Sequence, residues 1–238
     1  MNSLSHILHT ISFMALPLLV AIVLHEYAHG WVANYYGDPT AQKLGRLTVN
    51  PLPHIDRMGS ILVPLLCLLL PGNFIFGWAK PVPINPTNLR NPQRDMAIVA
   101  AAGPAMNLFL AFSSAIILGI IFRYDSSLIA YWPPQPNMEL PQDLLGMLLV
   151  PVIAMAFFSM LINTLLMLVN LIPIPPLDGG RILISLLPPS LALSLRRVEP
   201  FGLLIILGLF FLQPNFIHSI LGTTIQWLAM TFLPQEMM

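Results

Sequence analysis

Three long apolar runs, residues 11–33, 96–122 and 144–172, each reach the roughly 20 residues that a helix needs to cross a bilayer. Hydrocarbon offers no water to backbone N–H and C=O groups, so such runs must be helices that satisfy those groups internally. Composition agrees, with 56% of the 238 residues hydrophobic and 8% charged, against roughly 25% charged in an ordinary soluble domain. A soluble protein is excluded. The expected fold class is an all-α polytopic membrane protein of about four to six transmembrane helices with one short β-like segment at the membrane surface. Ten acidic and ten basic residues cancel, so no basic surface points to nucleic acid. The single cysteine, Cys67, lies between Leu66 and Leu68 and reads as a small buried hydrophobe. Proline is in surplus, since 24 residues are roughly twice average usage, and so much proline requires interrupted backbone.

The first run begins without the basic region and small-residue cleavage site of a signal peptide, and is expected to be a retained helix. Residues 59–70 are too short for a full crossing and suit a re-entrant segment. From Phe74 to Ile84 the chain is rich in β-formers but broken by prolines, and it reads as an extended edge at the membrane surface. The 96–122 span carries Ala100, Ala101, Ala102 and Gly103, small residues that permit close helix contact. A loop bearing Tyr131 and Trp132 joins it to the 144–172 span. Beyond Pro173 the chain is proline-rich to Pro189, and then two apolar segments at 201–212 and 216–233 make one crossing or two. Six of the ten basic residues lie between the first span and the 96–122 span and three follow the 144–172 span, leaving only Arg123 opposite. The excess of Lys and Arg marks the cytoplasmic side, so the C-terminal end of the first helix is expected there.

Within the first span stands His25-Glu26-Tyr27-Ala28-His29, a HExxH motif. Histidines at i and i+4 share one helix face and can hold one zinc, with Glu26 beside them as a general base toward water. Three ionisable residues inside a span point to function by default, although such groups also pair with one another or snorkel at a helix end. Catalytic zinc takes three protein ligands and keeps one position open. A third candidate is Asp178, in Asn170-Leu171-Ile172-Pro173-Ile174-Pro175-Pro176-Leu177-Asp178-Gly179-Gly180, where prolines end the helix and the carboxylate is expected on unwound chain with two flexible glycines. The same residues also read as a turn in which Asp178 caps the next helix.

These motifs resemble the site-2 protease family of intramembrane zinc metalloproteases: HEYAHG at 25–30, NPLPHIDRMGS at 50–60, GWAKPVPINP at 77–86, AGPAMN at 102–107 and NLIPIPPLDGG at 170–180, in the family's order. The resemblance implies a single transmembrane metalloprotease domain over 1–238. It implies one zinc ion per chain held by His25, His29 and Asp178, and Glu26 as the catalytic acid/base. Asn107 matches a family asparagine near the active site, and its alternative reading is a hydrogen bond between helices. His54 falls in a family motif and serves either chemistry or structure. The family often has proline where this chain has Arg57. Neither the loop after the 96–122 span nor the apolar tail has room for the PDZ or CBS domains of other members, so a minimal, core-only member is expected.

The implied activity is hydrolysis of a peptide bond in or near a transmembrane segment of a membrane-protein substrate, in the lipid bilayer of a bacterial cytoplasmic membrane, with the active site toward the cytoplasm. Trp78 and Val82 would form an edge against which the unwound substrate pairs as a strand. Two alternatives use the same cluster: a membrane metal transporter or sensor, and an inactive, protease-like binding protein. Retention of all four core residues speaks against the inactive reading, and replacement of Glu26 by Gln separates a protease from a transporter.

Overall fold

The computed structural model describes residues 3–69, 77–134, 141–212 and 214–232. Among them the chain is helical, without β-strand: α1 (Ser3–Tyr35), α2 (Thr40–Lys43), α3 (Val63–Leu69), α4 (Pro92–Tyr124), α5 (Leu144–Asn170), α6 (Asp178–Leu186), α7 (Pro189–Arg196), α8 (Gly202–Leu212) and α9 (Pro214–Phe232). Three helical stretches among the described residues, Ile11–Tyr35, Pro92–Tyr124 and Leu144–Asn170, are long and apolar enough to cross a membrane. They coincide with the three runs seen in the sequence. α3 overlaps a shorter apolar stretch, Arg57–Cys67.

α4 is the central span, packed against α1, α5 and α6. Ala33 of α1 packs with Val99 of α4, whereas Ala21 accepts from Asn107 further along, so α1 and α4 run antiparallel. α5 is also antiparallel to α4, since Phe122 packs with Val150 and Ile153 and Asn107 pairs with Asn163. The C-terminal ends of α1 and α5 therefore lie at the same end as the start of α4. That arrangement brings the two motif-bearing chain ends together. At the opposite end Leu118, Phe122 and Ile153 form a core with Leu128 of the turn at Ser126–Tyr131, packed under Trp132. Leu228 of α9 docks on Ala111, Ala115 and Met160.

The link from α5 to α6 departs from expectation in one respect. Asp178 does not sit on unwound chain but is the first residue of α6, whose N-cap is Leu177. The bend is confined to Leu171–Leu177. Gly179 and Gly180 are needed for space, with no left-handed backbone involved: a Cβ at Gly179 would lie 2.3 Å from the Leu171 carbonyl oxygen, and one at Gly180 would lie 2.2 Å from the Pro175 nitrogen. Their bare backbones let α6 begin pressed against the bend.

Of the expected edge segment, residues 74–76 lie outside the described residues. Its remainder, 77–84, runs without regular secondary structure. The Trp78 N–H donates to the Gly59 carbonyl (3.1 Å) and the Lys80 N–H to the His54 carbonyl (2.9 Å). Trp78 lies over Gly59 so closely that a Cβ there would meet the indole at 2.4 Å. The expected re-entrant stretch is a π-helical turn, Arg57–Leu62, followed by α3, and Asp56 caps it by accepting from Met58 and Gly59. Arg57 is the first residue of that turn, where an N–H has no intrahelical partner and proline is equally at home. The departure from the family pattern at this position leaves the local turn intact.

Asp38 ties the following stretch to the end of α1. This fully buried carboxylate accepts from the Asn85 amide (2.6 Å), Asn88 Nδ2 (2.9 Å), the Thr40 amide (3.1 Å) and the Thr40 hydroxyl. Burial by itself would raise this carboxyl, but the hydrogen bonds from Thr40, Asn88 and Asn85 outweigh it and hold the group below its ordinary value of 3.8. Asp38→Ala leaves several buried donors unpaired, at about 1–3 kcal/mol. Thermal unfolding in detergent should show the variant less stable. A carboxyl with a depressed folded-state value stabilises fully above its unfolded value. The difference between the two proteins should therefore be complete above pH 3.8 and shrink as pH falls through the lower folded-state value.

Candidate metal centre

α1 presents His25 and His29 one turn apart on one face, buried between α4 and α6, with ring centroids 4.7 Å apart and planes at 83°. His25 lies ten residues before the end of α1 at Tyr35, roughly 15 Å along the helix at 1.5 Å per residue. The two Nε2 atoms are 3.0 Å from each other. Asp178 adds its Oδ2 at 3.2 Å from His25 Nε2 and 3.3 Å from His29 Nε2. Three donor atoms thus converge.

Hydrogen bonds on the far side of each ring decide what those nitrogens carry. His29 Nδ1 is 2.7 Å from the Val99 carbonyl oxygen, which can only accept, so Nδ1 holds the proton and donates. His25 Nδ1 is 2.5 Å from Asn107 Oδ1. Asn107 Nδ2 is committed elsewhere, donating to Asn163 Oδ1 at 2.8 Å, so His25 Nδ1 donates as well. A neutral imidazole has one protonated nitrogen, which leaves both Nε2 atoms as bare lone pairs facing each other. Asp178 Oδ2 is buried and has no hydrogen-bond partner. Two lone pairs and a carboxylate oxygen converging in a buried site suit a cation among them. Zinc with bonds of about 2.0–2.1 Å in tetrahedral geometry places its ligand atoms roughly 3.3 Å apart, and the observed separations of 3.0, 3.2 and 3.3 Å fit it.

α4 contributes room. A Cβ on Gly103 would lie 2.3 Å from His29 Nε2 and 2.6 Å from His25 Nε2, so at this level only glycine leaves the metal-facing nitrogens uncovered. The small-residue run at 100–103 was legible as a helix contact, but its adaptation to the histidine pair was not. Asn163 was missed as well. Its signal was an amide side chain inside an otherwise apolar span, the kind of residue that is conspicuous in a membrane helix.

Glu26 is half-buried on the same turn of α1, and its Oε2 accepts from the Val82 N–H at 2.7 Å. Lys80-Pro81-Val82-Pro83 has no backbone N–H at its two prolines, so the amide that reaches Glu26 is the one this stretch has left to give after Lys80. Arg46 holds the same stretch from outside, donating to the Lys80 carbonyl at 2.9 Å. His54 is not brought to the cluster. Its Nε2 bonds the Thr48 carbonyl at 2.9 Å and its own carbonyl carries Lys80, so it supports the segment that reaches Glu26.

Residues 13–212 match the family model described as peptidase family M50. The chain belongs to that family. Among M50 relatives, YwhC of Bacillus subtilis, provisionally named a zinc metalloprotease, is 36% identical over 200 residues, 83% of this chain and 80% of the relative. Rip2 of Mycolicibacterium smegmatis and Rip2 of Mycobacterium tuberculosis H37Rv, named in the same way, are 31% and 30% identical over 192 residues. The aligned regions span 63% and 64% of those two proteins, so this chain covers less than two thirds of their length. No solved structure matches significantly. Membership in M50, the site-2 protease family, makes the protein an integral membrane zinc metalloprotease, and His25, His29 and Asp178 form a site able to hold the zinc.

Gly103→Ala inserts a methyl group against both Nε2 atoms. Purified protein carrying it should hold well under one zinc per chain by elemental analysis. Ala105→Gly on the same helix should hold zinc as the wild type does.

Proposed function

We propose that this M50 member is an intramembrane endopeptidase that cuts a membrane-protein substrate in or near a transmembrane segment, from the cytoplasmic side of a bacterial inner membrane. The observation that carries the reading is the convergence of His25 Nε2, His29 Nε2 and Asp178 Oδ2 inside a helix bundle, with Glu26 on the same turn. His25, His29 and Asp178 hold the metal. A zinc ion there supplies Lewis acidity, polarising a scissile carbonyl and lowering the pKa of water toward 7. Glu26 takes the proton from the attacking water and returns it to the leaving amine. Asn107 orients His25, and the excess of Lys and Arg after the first and third spans supports a site that opens toward the cytoplasm.

A substrate helix hides its amides in i to i−4 bonds and must unwind before attack. The extended stretch at 77–84 supports strand pairing with the unwound substrate, within a limit set by its own bonds. The amides of Trp78, Lys80 and Val82 are engaged within the protein, and Pro81 and Pro83 have none. The Trp78, Lys80 and Pro81 carbonyls also accept from Ser60 and Arg46, so a substrate strand would pair along the opposite edge through the backbone of Ala79. Trp78, seated on Gly59, and Val82, seated on Glu26, fix that edge in register with the site.

Wild type and Glu26→Gln should be expressed separately in the native host and their membrane-protein fragments compared. The variant should keep one zinc per chain and lose its fragments; identical fragment sets would overturn the protease reading, and zinc flux into vesicles that survives the substitution would establish transport instead. Trp78→Ala should keep zinc and lose most cleavage. Unchanged cleavage would remove the strand edge from the mechanism.

A further inference from the structure

The two histidines are oriented by different means. His29 donates to a backbone carbonyl, that of Val99, which is fixed by α4 itself. His25 donates to a side-chain amide, and an amide can turn over. What stops Asn107 from turning lies on α5. Asn107 Nδ2 donates to Asn163 Oδ1 at 2.8 Å and approaches the Ala21 carbonyl at 3.4 Å. Asn163 Nδ2 donates to the Ser159 carbonyl at 2.8 Å and lies 3.2 Å from the Ser159 hydroxyl, which in turn meets Ser114. Every bond runs in one direction, from the His25 ring to a main-chain carbonyl on α5 that cannot rotate. Reversing Asn107 would set its oxygen against Asn163 Oδ1 and Ala21 O, two acceptors, and leave His25 Nδ1–H facing an NH2 group. Asn107 is 0% and Asn163 1% exposed, so water does not repair a reversed amide.

We infer that Asn163 is a positioning residue of the metal centre, which acts through Asn107 to hold the His25 ring with its Nε2 lone pair toward the metal. The inference rests on the reading of His25, His29 and Asp178 as ligands and adds a residue to which nothing in the motifs assigns a role. Outer partners of metal-bound histidines commonly account for roughly 10- to 100-fold in metal affinity.

The test uses the full chain in detergent, with Zn2+ affinity measured by competition against a chromophoric chelator and the visible spectrum of the Co2+ form recorded in parallel. Asn163→Leu removes both ends of the relay and should weaken Zn2+ binding roughly 10- to 100-fold and perturb the Co2+ spectrum. Asn163→Asp should restore both: in this dry site the acid is held neutral, so its O–H donates to the Ser159 carbonyl and its C=O accepts from Asn107. Ser159→Ala spares the main-chain anchor and should bind as wild type. If Asn163→Leu fails to fold, Asn163→Ser, too short to reach Asn107, takes its place with the same expectation. Wild-type affinity and spectrum in the Leu or Ser variant would overturn the inference, as would an Asp variant that folds yet binds no better than Leu. His25→Ala and His29→Ala separate the two levels. If neither weakens Zn2+ binding, the metal-centre reading itself fails; if both do while Asn163→Leu does not, only the relay fails.

Discussion

Two imidazole nitrogens, each with its lone pair turned toward the other at 3.0 Å, set the terms for the rest of the bundle. Left alone they repel, and each ring would be better off rotated. The Val99 carbonyl and the Asn107 amide prevent rotation by taking the far-side protons, and Asp178 approaches from α6 with an oxygen that has no proton to answer. Three helices thus converge on an arrangement suited to a cation between its donor atoms. One interhelical hydrogen bond in a membrane contributes only about 0.6 kcal/mol to association. The polar contacts near the histidines are better understood as setting direction than as holding the helices together.

Bringing Asp178 to that point requires chain geometry that a membrane ordinarily forbids. The bend at Leu171–Leu177 interrupts helix at the end of a span, tolerable where protein covers the exposed backbone. Gly179 and Gly180 then allow α6 to start within contact of the bend. On the other side, the stretch at 77–88 is bound at Gly59, His54, Glu26 and Asp38 in succession. Six of the 24 prolines lie in these two segments, where they interrupt regular backbone.

The spans and the residues that converge, His25, His29 and Asp178, were legible because their signals are local: run length for the helices, i and i+4 spacing for the histidines, and an aspartate after a proline break. Family motifs added Asn107 in its place near the site. The partners of those residues were not legible, because each depends on how two distant elements face one another. Val82 reads as a β-former, and nothing in its neighbourhood shows that its amide would be held by Glu26. Asn163 looks like an isolated polar residue until α4 is laid beside it. Asp178 was expected on unwound chain because prolines precede it, yet the two glycines that follow let a new helix begin at once.

Gly103 gives α4, which supplies no ligand, control over how the bundle can assemble. Successive residues on a helix are turned by about 100°, so advancing or retarding α4 by one position would bring Ala102 or Pro104 toward the histidines. Either would set carbon against the metal-facing nitrogens. Only one rotational phase of the central span leaves both nitrogens uncovered, so a single glycine fixes the register of α4 against the histidine face of α1.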